Sequence, residues 1–189
     1  MTTRLALAIA LIGLAAPAVA TMPTACDVLT KTDLATAQGQ EFSEAILSTK
    51  TQGSLSVSQC FYRLPMFEKS VSVTIMRPIR AADRLSVRDY WKEHCAASAE
   101  KKSEDRDDDR ERAAKSDRDD EDHHSNGARL SGLGDDAVWS GTPMTSVLHV
   151  LRSGTIVRVS VGGSAPIDQK LEASRRLAIA ILNQLAQKP

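Results

Sequence analysis

Residues 145–161, with the sequence TSVLHVLRSGTIVRVSV, are the stretch that decides the fold class. Residues 145–152 and 155–161 are rich in β-branched side chains, which favour strands. Ser153 and Gly154 separate these two runs, and a two-residue loop with glycine is typical of a tight hairpin turn. The sequence therefore predicts an antiparallel β-hairpin in the second half of the chain.

A helix is predicted directly after this hairpin. Ser164 and Pro166 are residue types that commonly open a helix. Apolar residues then recur at the spacing of one helical face, which should cap the sheet. These residues are Ile167, Leu171, Leu177, Ala178, Ile181, Leu182 and Leu185.

Further strands are predicted on the N-terminal side of the hairpin. Residues 71–75 alternate between apolar and polar side chains, which indicates a strand covered on one face. Residues 41–48, 58–64 and 136–140 are also predicted strands, whereas the polar residues 49–56 are predicted to form a loop.

Two more helices complete the predicted fold. The pair Thr30 and Asp33 resembles a capping box and predicts a helix over residues 31–38. A second helix is predicted from Ala81 onward, where residues recur at spacings of three and four. They form one stripe on the helix, which consists of Val87, Tyr90, Trp91, His94 and Cys95. The predicted fold class is α+β, an antiparallel sheet of about five to six strands with helices packed on it.

The N-terminal residues have the order of a signal peptide. Arg4 precedes an uninterrupted apolar run over residues 5–16, and small residues follow. The predicted cleavage lies between Ala20 and Thr21, so 1–20 is a signal peptide and 21–189 a single α+β domain. The alternative is an uncleaved anchor, although the run is shorter than the roughly 20 residues that span a membrane.

Export gives the three cysteines a specific meaning, because disulfides persist in oxidising compartments. Cys26 precedes the first predicted helix and Cys60 lies in a predicted strand, and we expect these two to form a disulfide. Cys95 is then left over. It is interpreted as a small buried apolar residue, and the alternatives are a reactive thiol or an intermolecular bridge.

Residues 100–126 form a charged insertion. Residues 100–124 contain 12 acidic and 7 basic residues and no apolar residue larger than alanine, so they cannot contribute to a core. We expect the insertion to be disordered or to extend the preceding helix. Its acidic and histidine run, residues 117–124, offers ligands that divalent cations accept, but it completes no EF-hand loop. A solvated charge run is the preferred interpretation, so no metal site is predicted.

The net charge of the whole chain is zero, which argues against a nucleic-acid partner. The insertion alone sums to 7 minus 12, or minus five, so the rest of the chain is mildly basic. One hypothesis is that the insertion rests transiently against this basic remainder, or that it attracts a basic partner.

No catalytic residue is predicted. The G-x-S-x-G motif is absent, and His94 and Cys95 are helix neighbours whose side chains point about 100 degrees apart. His149 alternates with apolar residues on a strand, so a packed histidine is expected. No cofactor is predicted either, because residues 132–134, Gly-Leu-Gly, complete no phosphate-binding motif and are interpreted as a turn. Trp91 and Trp139 are expected in the core.

A family resemblance rests on three features of the chain. The first is Cys26 followed by a helix, the second is the pair Cys60 and Phe61, and the third is residues 132–137 ahead of a hairpin and a terminal helix. In these the chain resembles bacterial envelope proteins of the LpqN type, although it lacks their lipobox. The resemblance implies a PsbP-like α/β fold and a non-enzymatic module of the cell envelope.

The sequence therefore favours an exported, periplasmic or secreted, non-enzymatic binding or structural module. Its expected partner is an envelope protein or a small ligand, and no stable membrane insertion is expected after cleavage. Two alternatives stay open. One is a metal-binding protein that uses the acidic and histidine run, and the other is an enzyme whose site is dispersed along the chain.

Overall fold

The structure, a computed structural model, describes residues 22–96, 128–142 and 144–187. It is an α+β fold, in which an antiparallel sheet of seven strands in the order β1-β2-β3-β7-β6-β5-β4 carries three α-helices within these residues. The predicted fold class is confirmed, with slightly more strands than expected. The elements are α1 (Lys31–Gln38), β1 (Glu44–Gln52), β2 (Leu55–Arg63), β3 (Val71–Pro78), α2 (Arg84–Trp91), β4 (Ala128–Arg129), β5 (Asp136–Gly141), β6 (Thr145–Arg152), β7 (Thr155–Gly162) and α3 (Ile167–Gln187).

The hairpin predicted over residues 145–161 is present as β6 and β7. Arg152 pairs with Thr155 across a turn of two residues, Ser153 and Gly154. Both turn residues have positive φ, 50° and 76° respectively. Positive φ at both positions matches the right-handed twist of the flanking strands, so this turn fixes the register locally.

The prediction of a loop over residues 49–56 is wrong. β1 and β2 run through this region and turn only at Gly53 and Ser54, with Gln52 paired to Leu55. β1 lies at the edge of the sheet and every one of its residues is exposed. A strand exposed on both faces needs no alternation of apolar and polar residues. The polar sequence of β1 was therefore interpreted as a loop. The predicted strand at 41–48 is accordingly observed at 44–52.

Each face of the sheet is covered by different helices. α1 and α3 cover one face, where the larger cluster of buried side chains lies. α2 and the π-helical turn that continues it, Lys92–Ala96, pack on the opposite face. The buried residues of this second cluster are Leu55, Val57, Met76, Val87, Trp91, Cys95, Ala96, Val138 and Ile156.

The N-terminal end of the described residues is tied to β2 by a disulfide and two hydrogen bonds. Cys26 and Cys60 are bonded, as predicted, with a separation of 34 residues. The backbone N–H of Ala25 donates to Oγ of Ser58 at 2.9 Å, and the buried Tyr62 hydroxyl donates to the carbonyl of Ala25 at 2.7 Å. These contacts hold the start of the chain against β2, so that α1 leaves the sheet from a fixed point.

The first turn of α3 contains a buried lysine that the sequence pattern did not predict. Lys170 is 1% exposed, and its Nζ donates to the carbonyls of Thr142 at 2.9 Å and Gly163 at 3.1 Å. One turn later, the buried hydroxyls of Ser174 and Ser146 lie 3.0 Å apart. Burial lowers the pKa of Lys170. The ammonium group thus binds together the loop after β5 and the loop after β7.

Several sequence predictions fall outside the described residues. They are the signal peptide 1–20, the cleavage between Ala20 and Thr21, and the whole of the charged insertion 100–126. Within the part of the chain that the structure describes, no helix has both the length and the hydropathy needed to span a membrane.

Replacing both bonded cysteines, Cys26→Ala with Cys60→Ala, is expected to lower the free energy of unfolding by about 3 to 4 kcal/mol. The reason is that the disulfide closes a loop of 34 residues and so restricts the unfolded chain. Urea denaturation followed by circular dichroism measures the change. A reductant should destabilise the wild-type protein by a similar amount and leave the double variant unaffected. A wild-type protein indifferent to reductant would contradict the bridge.

Candidate functional site

A cleft of about 470 Å³ opens at one end of the sheet. The end of β3, the β6–β7 turn and the last turns of α3 line it. The segment between β3 and α2 forms its outer wall. Its volume falls within the roughly 300 to 1,000 Å³ of small-molecule sites.

The inner wall of the cleft is apolar. Val157 of β7 and Leu182 of α3 are buried and belong to the main core, and Leu185 lies one turn further along α3. Ile79 is 52% exposed and Met22 is 66% exposed. The apolar surface therefore continues from the core to the mouth of the cleft, where it meets solvent.

Three arginines line the same cleft. Arg77 belongs to β3, Arg84 is the first residue of α2, and Arg152 is the last residue of β6. Nη1 of Arg77 donates to the carbonyl of Pro23 at 3.0 Å, and burial lowers the pKa of this guanidinium. Arg84 and Arg152 are exposed, and the stem of Arg84 packs near the β6–β7 turn: a Cβ built on Gly154 would lie 3.8 Å from its Cγ.

In the described residues, these arginines lack an ion-paired carboxylate. Among those residues, none of the three arginines forms an ion pair, and no acidic residue lines the cleft. Two carboxylates of adjoining segments form no ion pair with these arginines, although Asp135 lines a neighbouring pocket together with Arg152. Asp83 contacts Arg80 at 3.3 Å, and Asp135 accepts a hydrogen bond from the backbone N–H of Ser153 at 2.7 Å. The cleft is consequently apolar inside and positively charged around its sides.

The sequence did not indicate this cleft. Its arginines are separated by 7 and 68 positions along the chain and follow no motif. They converge only because β3 and β7 are neighbours in the sheet and β6 is hairpin-paired to β7. A basic residue near the end of a strand is too common to serve as a signal.

Cys95 and His94 differ in burial, although the predicted apolar stripe of the helix included both residues. Cys95 is 1% exposed, whereas His94 is exposed and its ring lies 4.4 Å from that of Tyr90. Burial raises the pKa of the Cys95 thiol to about 11. A thiol that stays protonated at neutral pH is a poor nucleophile, so the interpretation as a buried apolar residue is confirmed.

His149 is packed on the face of the sheet that α2 partly covers. It pairs in register with Arg158 of β7. Burial, with a smaller contribution from Arg158, lowers the pKa of His149 to about 4. The imidazole is therefore neutral at neutral pH, in agreement with the prediction of a packed histidine.

The other candidate residues have structural positions. Trp91 and Trp139 are each 4% exposed, which confirms that both are core residues. Nε1 of Trp91 donates to Asp136 at 2.9 Å. Residues 132–134 form a turn, as interpreted, and a Cβ on Gly134 would lie only 2.4 Å from the carbonyl oxygen of Leu151.

The described residues contain no group of three or more His, Cys, Asp or Glu side chains that could hold a metal ion. The acidic and histidine run at residues 117–124 lies outside them.

Protonation of His149 is expected to make the protein less stable as the pH falls from 6.5 towards 4. The folded state keeps the imidazole neutral down to about pH 4, whereas the unfolded state binds a proton near the ordinary value of 6.5. The unfolded state is then favoured by up to about 3 kcal/mol at the lower pH.

Urea denaturation at pH 7 and pH 4.5 of the wild type and of His149→Gln tests this expectation. The variant should lose less stability on acidification. His94→Gln is the matched control, because its side chain is exposed, and it should behave as the wild type does. Equal losses in the wild type and His149→Gln would show that His149 is not held neutral.

Comparison with known proteins gives no further guide to this site. No protein-family model matches the chain, and no curated protein sequence matches it with significant similarity. The role of the cleft has to be inferred from its own size, charge and apolar walls.

Proposed function

We propose that this protein is exported, loses residues 1–20, and acts outside the cytoplasm as a non-enzymatic module that binds a small ligand in the cleft. The observation that carries the proposal is the cleft itself. It combines about 470 Å³ of space with apolar walls that reach solvent at Ile79 and Met22. Such concave, mostly apolar sites with a few placed polar groups are typical of ligand binding.

The proposed location has separate support. The N-terminal order of Arg4, an apolar run and small residues is that of a cleavable leader. The Cys26–Cys60 disulfide is compatible with an oxidising compartment. The resemblance to LpqN-type envelope proteins, which rests on Cys60, Phe61 and residues 132–137 among others, points to the same compartment.

Filling the cleft is expected to abolish ligand binding. Ala186 is exposed on the last turn of α3 and lines the cleft, so Ala186→Trp places a large side chain in its mouth. Gln187→Trp is the matched control, because the next residue is also exposed but does not line the cleft. The probe is N-phenyl-1-naphthylamine, an uncharged dye whose fluorescence rises in apolar surroundings.

The wild type and Gln187→Trp should bind the dye with one saturable site, and Ala186→Trp should lose at least tenfold in affinity. Thermal unfolding of all three proteins checks that they are equally folded. A wild type that binds no dye, or an Ala186→Trp variant that binds it as well as the control, would argue against the cleft as a binding site.

The export proposal is tested by the intact mass of protein recovered from outside the cytoplasm of a bacterial host. The expected mass begins at Thr21 and lacks the hydrogens of one disulfide, with Cys95 open to alkylation only after unfolding. A recovered product that keeps residues 1–20 would contradict the cleavage, and a product that remains cytoplasmic with all three thiols reduced would refute export.

A further inference from the structure

The arginines of the cleft narrow the chemistry of its ligand. A guanidinium group presents paired N–H donors whose spacing matches a carboxylate or a phosphate. Arg77, Arg84 and Arg152 come from three elements and line one small space. An anionic group bound among them could accept hydrogen bonds from more than one side.

The absence of a carboxylate among the lining residues adds to this argument. Arg77 is half-buried and its described hydrogen bond, to the carbonyl of Pro23, leaves its charge without a counter-ion among the described residues. Removing a charge from water without pairing it is costly. A bound anion would supply the missing partner.

The apolar walls then require a second chemical property of the ligand. Val157, Leu182 and Leu185 form a surface next to the arginines that a charged head alone would leave uncovered. An alkyl chain would bury this surface, and each buried methylene would tighten binding about fourfold. A nucleotide is less suitable, because no aromatic side chain of the described residues lines the cleft for a base to stack on.

From this arrangement we propose that the ligand is a free, single-chain anionic amphiphile, with a carboxylate or phosphate-monoester head held by the arginines and its chain on the apolar wall. This inference rests on the proposed function, since it assigns a ligand class to the same cleft. It adds that charge, and not apolar contact alone, selects the ligand.

Calorimetric titration with dodecanoate, dodecyl phosphate, decanoate, decanol and dodecyltrimethylammonium tests the proposal, with every probe below its micelle concentration. At equal chain length, decanoate should bind at least tenfold more tightly than decanol, and the two anionic dodecyl probes at least tenfold more tightly than dodecyltrimethylammonium. Dodecanoate should exceed decanoate by about fifteenfold, since it has two more methylenes. Acetate and inorganic phosphate should bind far more weakly than the chains that carry the same heads.

The matched variants separate the charge from the apolar wall. Arg84→Gln with Arg152→Gln should weaken dodecanoate binding tenfold or more and leave the uncharged dye unaffected. Replacing both by lysine should restore part of the affinity. Arg63→Gln is the control, because it removes an exposed arginine that does not line the cleft. Arg63 is the last residue of β2, and its partner is Glu44 at 3.0 Å.

Another explanation for the arginines is that they complement the partial negative charge at the C-terminal end of α3. In that case the double glutamine variant would unfold at a lower temperature while its affinity for dodecanoate stayed unchanged. That result would overturn the proposal.

The remaining outcomes are also decisive. If the dye binds but decanol competes as well as decanoate, the cleft is an apolar site without charge selection, and only this inference fails. If neither the dye nor any amphiphile binds, the proposed function fails with it. If the protein sediments with phosphatidylglycerol vesicles but binds no monomeric amphiphile, the anion it recognises belongs to a membrane surface, and the proposal of a free ligand is wrong.

Discussion

The attachment of the N-terminal segment to the sheet is the constraint on which the rest of the structure depends. α1 has eight residues, too few to form a stable helix on its own, and it keeps its place because Cys26 is bonded to Cys60 and Tyr62 donates to Ala25. The same segment supplies the carbonyl of Pro23 that holds Arg77. One tie therefore completes the main core and also orients a side chain of the cleft.

The Cys26–Cys60 disulfide stabilises the domain, whereas the arginines of the cleft destabilise it. Three neighbouring arginines without carboxylate partners in the described residues repel one another, and a marginally stable domain tolerates such an arrangement poorly. A disulfide that closes a 34-residue loop offsets a cost of this kind. The fold can thus tolerate a site whose charges stay unpaired until a ligand binds, because the disulfide stabilises another part of the domain. The proposed ligand supplies both missing components, a negative head for the guanidinium groups and a chain for the apolar wall.

What could be predicted from the sequence was set by local signals. The β6–β7 hairpin and α1 were predicted to within a residue, because a two-residue turn and a capping box act over a few positions. The bounds of β1 were predicted wrongly, since an edge strand exposed on both faces shows no alternation of apolar and polar residues. The burial of Lys170 could not be predicted, because its partners are backbone carbonyls of Thr142 and Gly163, and any residue type supplies a carbonyl. The cleft escaped prediction for a further reason, which is that its arginines meet only through the pairing of distant strands.

The buried ammonium of Lys170 has a mechanical consequence. It anchors the first turn of α3 to two loops at one end of the sheet, while the cleft lies under the last turns of the same helix, about 15 residues and so about 22 Å away. The helix also packs on the core between these two points, through Leu177, Ala178 and Ile181. The proposed ligand would contact Leu182 and Leu185 near the far end of this helix, so its binding need not disturb the hydrogen bonds of Lys170.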